Sequence, residues 1–341
     1  MLETRKAQEL DVVELTEDLP EYGLKRGQRG AVITAFDDPR EAYDLEFVDE
    51  SGESRFAYSV RPEQIKTQNE IAKDIFEEGV RLHNEGKPLE AEGNFRQAIN
   101  LNPIYIRVLH NSVVMSLGGV DEWERARGAM RLILRINPNY KPARDNLAIA
   151  YLNRGVEEAN NGDIRFSIEI FYRALGVATS PELVSGIRRN LAASYTFEGI
   201  KAHEAGAFID AIRWMSFALD SNPDEKTRNN LAKAHARLAY QRLDEEDFGQ
   251  AIVHFEYAED FGLIGPELLN DYAIALAHCG RFDEAIIEME RALELAPNSM
   301  AILDNLQRVR NQIASELNVE NIDIAFAPFP ALEQRSYQPV A

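Results

Sequence analysis

The chain has 341 residues, 45% hydrophobic and 28% charged, a composition of folded globular chains rather than disordered ones. Its 57 acidic against 37 basic residues leave a net charge of −20, which favours solubility and opposes attraction to nucleic-acid phosphates and anionic membranes. A single cysteine, Cys279, excludes an intramolecular disulfide, and no run approaches the ~20 apolar residues of a membrane span.

Residues 1–67 alternate. AVITAF (31–36), YDLEFV (43–48) and RFAYSV (55–60) each place apolar side chains on one face at a period of two, as half-buried strands do. DESGES (49–54) reads as the hairpin turn between the last two, with Gly52 able to take the positive φ such turns need. Gly27, Gly30, Pro20 and Pro39 punctuate the connections. The expectation is a small antiparallel barrel of four or five strands.

From residue 68 to about 318 the period becomes 3.6. Six candidate helices carry small–large–small residues on one face: Ala91/Phe95/Ala98, Ala126/Met130/Ile133, Ser167/Phe171/Ala174, Ala211/Met215/Ala218, Ala251/Phe255/Ala258 and Ala285/Met289/Ala292. A proline follows each (Pro103, Pro138, Pro181, Pro223, Pro266, Pro297), and a glycine often stands five residues ahead (Gly86, Gly162, Gly206, Gly280). The first anchors are spaced by 35, 41, 44, 40 and 34 residues. The first helices of the third, fourth and fifth units are therefore longer by about seven residues, nearly two turns that keep the same face. Ala148, Gly155 and Gly162 lie seven apart, as do Ala192, Gly199 and Gly206, so either the alanine or the middle glycine can be the packing position. Residues 319–341 hold three prolines and no helical period, and are expected to form a surface tail. Cys279, beside Leu276 and Ala277, reads as a small packing residue.

These spacings resemble the tetratricopeptide repeat, a helix–turn–helix unit of ~34 residues. RFDEAIIEMERALELAPNS (281–299) follows the second half of that motif almost position by position, with LEAEGNFRQAINLNP (89–103) and FIDAIRWMSFALDSNP (208–223) close behind. The resemblance implies a mainly α chain: a right-handed solenoid of about six repeats with a capping helix. The first 67 residues are similar to a small bacterial SH3-like barrel family of uncharacterised function, through VVELTEDLPEYGLKRGQRGAVI (12–33), YDLEFVDESG (43–52) and PEQI (62–65).

No catalytic constellation is recognisable. There is neither a phosphate-cradling loop nor a dinucleotide fingerprint, and the six histidines lack metal-ligand spacing, so no cofactor, no metal and no enzyme activity are expected. The basic turn Lys25, Arg26 and Arg29 is surrounded by acids, which argues against nucleic acid.

What remains is the recurrence of Asn-Leu-Ala at 146–148, 190–192 and 230–232, echoed by Asn305-Leu306. Leu-Ala reads as a packing seam, and Arg144, Arg188 and Arg228, about 200° round the helix from the asparagines, as struts to acids on adjacent repeats. In the repeat family the first helices line a concave groove. There Asn146, Asn190, Asn230 and Asn305 could bond a peptide backbone, beside a cationic strip of Arg189, Lys226, Lys233 and Arg237. The alternative is local: asparagines bonded within the helices and bases paired with nearby acids. The two packing registers put the asparagines on the groove floor or, ~10 Å along the helix, on its rim.

The reading is a cytoplasmic, non-enzymatic adaptor that binds an extended protein segment, acidic or C-terminal in character. A self-assembling structural subunit is the second reading, and nucleic-acid binding through the barrel a third.

Overall fold

In a computed structural model of the chain, the described residues are 6–38, 40–49, 51–115 and 122–317. The 319–341 tail and Pro39 lie outside them. The chain divides into two compact units, Met1–Ala150 and Tyr151–Ala341, described in turn.

The first unit opens with five strands: β1 (Val12–Leu15), β2 (Arg29–Phe36), β3 (Ala42–Val48), β4 (Ser54–Val60) and β5 (Ile65–Thr67). They form one antiparallel sheet in the order β4-β3-β2-β1-β5. All five contribute to one core, among them Val13, Val32, Leu45, Ala57 and Ile65. Among the described residues the edge strands β4 and β5 do not pair, so the expected barrel is instead an open sheet. The hairpin between β3 and β4 is organised by Asp49, whose Oδ1 accepts from the backbone N–H of Ser51 (2.9 Å) and of Glu53 (3.1 Å), while Gly52 takes φ 85°.

Helices begin directly after β5. Thr67 caps α1 (Gln68–Asn84) in a reciprocal box with Glu70, and α2 (Pro88–Leu101), α3 (Ile104–Met115), α4 (Glu122–Ile136) and the start of α5 (Lys141–Asn160) complete the unit. Gly79 of α1 faces Phe95 of α2 so closely that a Cβ would stand 2.8 Å from the ring.

The second unit continues α5 and adds α6 (Ile164–Val177), α7 (Pro181–Glu204), α8 (Phe208–Ser221), α9 (Glu225–Asp244), α10 (Phe248–Asp260), α11 (Pro266–His278), α12 (Phe282–Leu295) and α13 (Met300–Leu317). The fold is a solenoid of helix pairs with an N-terminal antiparallel sheet. Each pair closes at one place: Gly155 against Phe171, Gly199 against Met215, and the fully buried Ala239 and Ala273 sixteen residues before Phe255 and Met289. The middle glycine is thus the packing position, and Ala148 and Ala192, though buried, belong to the two-turn extensions that lengthen α5, α7 and α9.

The turns between paired helices need a left-handed residue, and Gly86, Gly162, Gly206 and Gly280 supply it with φ of 74–88°. In the α9–α10 turn the same place is held by Glu246, at φ 60°. Pro181 and Pro266 prove to open α7 and α11 as N1 residues, where their missing N–H costs nothing. Cys279 ends α11 and is exposed, so it is not the packing residue expected from its neighbours. On α13, Ile302, Asn305, Leu306 and Val309 face inward while Gln307 and Arg310 are exposed, a polar outer face that suits a terminal capping helix.

Candidate functional site

The residues singled out from the sequence do not behave as one set. Asn146, in the first unit, places its Nδ2 2.9 Å from Nε2 of His110, so it joins α5 to α3. Asn190 donates to the Gly186 carbonyl of its own helix at 3.0 Å, which turns its amide to local use. Asn305 is only 2% exposed and donates to Oδ1 of Asn270 on α11 (3.1 Å), whose own amide donates to Asp271 (3.2 Å). Three of the four asparagines are thus committed to helix–helix or local bonds, which excludes Asn305 in particular from an open groove.

Asn230 is different. It is 3% exposed, and its Oδ1 and Nδ2, like Nε2 of His203, are buried without a hydrogen-bond partner. Ile200, His203, Met215, Asn230 and Lys233 line a small, partly open cavity of about 10 Å³. Burial to this degree turns the Asn230 amide away from the surface in this arrangement. The expectation that it meets a peptide backbone is corrected by burial: its place in the α9 extension puts it under the neighbouring α7 rather than at an opening.

The cations remain at the surface of the same region. Lys226, Asn230, Lys233 and Arg237 follow at i, i+4, i+7 and i+11 and so share one face of α9. Lys226 is exposed, whereas Lys233 and Arg237 are half-buried over His203. Burial lowers the His203 pKa, and the nearby Arg237 and Lys233 charges lower it further against the opposing charge of Glu204. On α7, Arg189 is exposed and, like Lys226, makes no ion pair among the described residues. Arg188 and Arg228 are exposed too and, among the described residues, show none of the expected ion pairs to adjacent repeats. This local excess of positive charge stands in a chain of net charge −20.

His203 and Asn270 were not recognisable as site residues from the sequence. His203 follows four residues after Gly199, a position with meaning only once the glycine is known to be the packing point.

The other side of α9 carries a second histidine contact. His235, two residues from Lys233 and from Arg237, faces α10, with its Nδ1 3.1 Å from Nδ1 of His254 and its ring against Tyr257 and Phe261. Burial and the neighbouring His254 push its pKa down to about 4. Among the described residues no group of three His, Cys, Asp or Glu side chains could hold a metal ion, and no helix is long and apolar enough to cross a membrane.

The pairing of α11 with α12, with Ala273 and Met289 buried in one core and Gly280 in the turn, is the unit that comparison with known families recognises. Residues 266–299 match the tetratricopeptide repeat. Residues 9–67, the sheet, match a Domain of unknown function (DUF4926). No curated protein matches the chain. Among solved structures, the P58(IPK) TPR domain is 15% identical, with a TM-score of 0.31 over 73% of this chain and 67% of its own. The TPR2AB domain of yeast Sti1 in its pHSP90 complex is 15% identical, with a TM-score of 0.27 over 70% of this chain and 98% of its own. The first TPR of Spaghetti (RPAP3), bound to the HSP90 peptide SRMEEVD, is 22% identical, with a TM-score of 0.27 over 36% of this chain and 94% of its own.

Proposed function

We propose that this chain is a non-enzymatic scaffold whose second unit holds an acidic, extended segment of another protein across α7 and α9. The observation that carries this reading is the α9 face of Lys226, Lys233 and Arg237, with Arg189 on α7, in a chain of opposite net charge. Tetratricopeptide pairs present their first helices side by side, and an extended segment crossing them meets several positions at once. Charge of this kind steers and orients an acidic partner, and its effect falls as salt rises. The asparagines are framework in this reading, with Asn230 and His203 setting the spacing of α7 and α9 beneath the cations. The solenoid (68–318) is the binding part, the sheet (1–67) and the tail (319–341) are accessory, and the cytoplasm is the compartment.

The test is an array of acidic twelve-residue peptides, with free and with amidated C-termini, probed by the wild type and by Lys226→Glu/Lys233→Glu/Arg237→Glu. Salt-sensitive binding that falls at least tenfold in the triple variant supports the reading, and stronger binding of free over amidated termini identifies a terminal carboxylate. Equal binding by both proteins removes it and leaves the assembly reading, which solution mass then decides.

A further inference from the structure

The second unit carries an aromatic face that the cationic strip does not use. Tyr172 of α6, Tyr195 of α7, and Trp214 and Phe217 of α8 form one cluster. Tyr195 lies at its base, 5% exposed, with ring centroids 5.7 Å from Trp214 and 5.5 Å from Phe217, and its hydroxyl is 2.8 Å from that of Tyr172. The outer members stay open: Tyr172 is 53% and Phe217 44% exposed. Among the described residues nothing accepts a hydrogen bond from the Trp214 indole N–H.

Adjacent aromatic rings with a free donor are suited to one kind of ligand. Proline-containing extended segments have pre-set φ angles, pack their rings on aromatic faces and present unbonded carbonyls to indole N–H donors. Such a segment lies in this chain beyond α13: Phe326-Ala-Pro328-Phe329-Pro330, followed by Leu332, Tyr337 and Pro339. Its apolar side chains have no helical period with which to build a core of their own.

We propose that residues 318–341 dock on the face formed by Tyr172, Trp214 and Phe217, with the Pro328–Pro330 stretch on the rings. Reach permits it. An extended run from Leu317 to Pro330 spans roughly 40 Å, and to Pro339 roughly 70 Å. Because α13 packs directly on α11, four axis spacings (α13 to α11, α10, α9 and α8) separate it from the aromatic face, roughly 40 Å at most, since axes of packed helices lie 8–10 Å apart. The charge is compatible as well: the segment holds Glu320, Asp323 and Glu333 against Arg335, and an aromatic face tolerates such a weakly acidic strand.

The chain contains two tryptophans, so Trp123→Phe leaves Trp214 as the sole reporter. In that background the full chain is compared with one ending at Leu317. The expected result is a red-shifted emission and at least a twofold rise in acrylamide quenching on truncation. Both are reversed, saturably, by a synthetic 318–341 peptide. Phe217→Ser in the protein, or Pro328→Ala/Pro330→Ala in the peptide, weakens that binding about tenfold. In the unaltered chain, slower hydrogen exchange of α8 with the tail than without it gives the same answer without a tryptophan substitution. Identical emission and exchange in the two lengths overturns the proposal. So does a tail-dependent blue shift that grows with protein concentration, which assigns the site to the tail of a second copy.

Discussion

Gly155→Ala is expected to destabilise the second unit, against the ordinary preference of helices for alanine. An ideal Cβ at position 155 stands 2.5 Å from Cε1 and 2.7 Å from Cδ1 of Phe171, where carbon atoms normally meet at ~3.5–4.0 Å. Phe171 is 1% exposed and has nowhere to retreat. Overpacking of this kind costs ~1–3 kcal/mol, and the gain in helix propensity returns ~1 kcal/mol, leaving a net loss of up to ~2 kcal/mol. Gly186→Ala supplies the control in the same unit: it is inside α7, and its Cβ would meet only the end of the Arg189 side chain at 3.9 Å. Here propensity acts alone and stability should rise by ~1 kcal/mol. Gly199→Ala should fall between them, because its neighbour Met215 is flexible enough to adapt. Urea unfolding followed by circular dichroism at 222 nm separates the three, since a kcal/mol is a clear shift in midpoint. If Gly155→Ala stabilises as much as Gly186→Ala, the pair does not close at Gly155 and the packing register is wrong.

Glu246→Gly should raise stability by ~1 kcal/mol, because it places glycine at an inter-helix turn where a side-chain residue takes φ 60°; an unchanged urea midpoint would count against strain there. His235 titrates near 4 in the fold against 6.5 when unfolded, so protonation favours the unfolded chain. Its contribution is complete above about pH 6.5 and is lost as pH falls toward 4, about 3 kcal/mol in all. His235→Phe should flatten the difference between urea midpoints at pH 7 and pH 4.5. Asn305→Ala removes the donor to the buried Asn270 carbonyl and should cost ~1–3 kcal/mol, read as faster hydrogen exchange in α11 and α13. Cys279, exposed at the end of α11, should take one equivalent of a thiol reagent in the folded chain, with no denaturant needed.

Much of this architecture is carried by local rules and was legible in the sequence. The small–large–small triplets locate every second helix from α2 to α12, and alternation in 31–36, 43–48 and 55–60 locates β2, β3 and β4, because both depend only on which face of an element is apolar. Anchor spacing likewise foretells the longer α5, α7 and α9.

Closure of the sheet was not legible, because whether β4 meets β5 depends on curvature accumulated over all five strands. Nor was the fate of the asparagines. Four similar Asn-Leu stretches end in four different surroundings: a histidine on α3, a carbonyl of the same helix, a cavity of about 10 Å³, and a second asparagine on α11. Helical periodicity fixes the direction in which such a side chain points relative to its own axis. What it meets there is set by the neighbouring helix, and that helix is positioned by the contacts of Gly155 and Gly199, sixteen residues from their partners in the chain. The sequence by itself determined the elements, their order and their apolar faces. The tertiary structure decided which polar groups those faces cover and which they leave at the surface, since burial is a property of two packed surfaces and a sequence pattern describes only one of them.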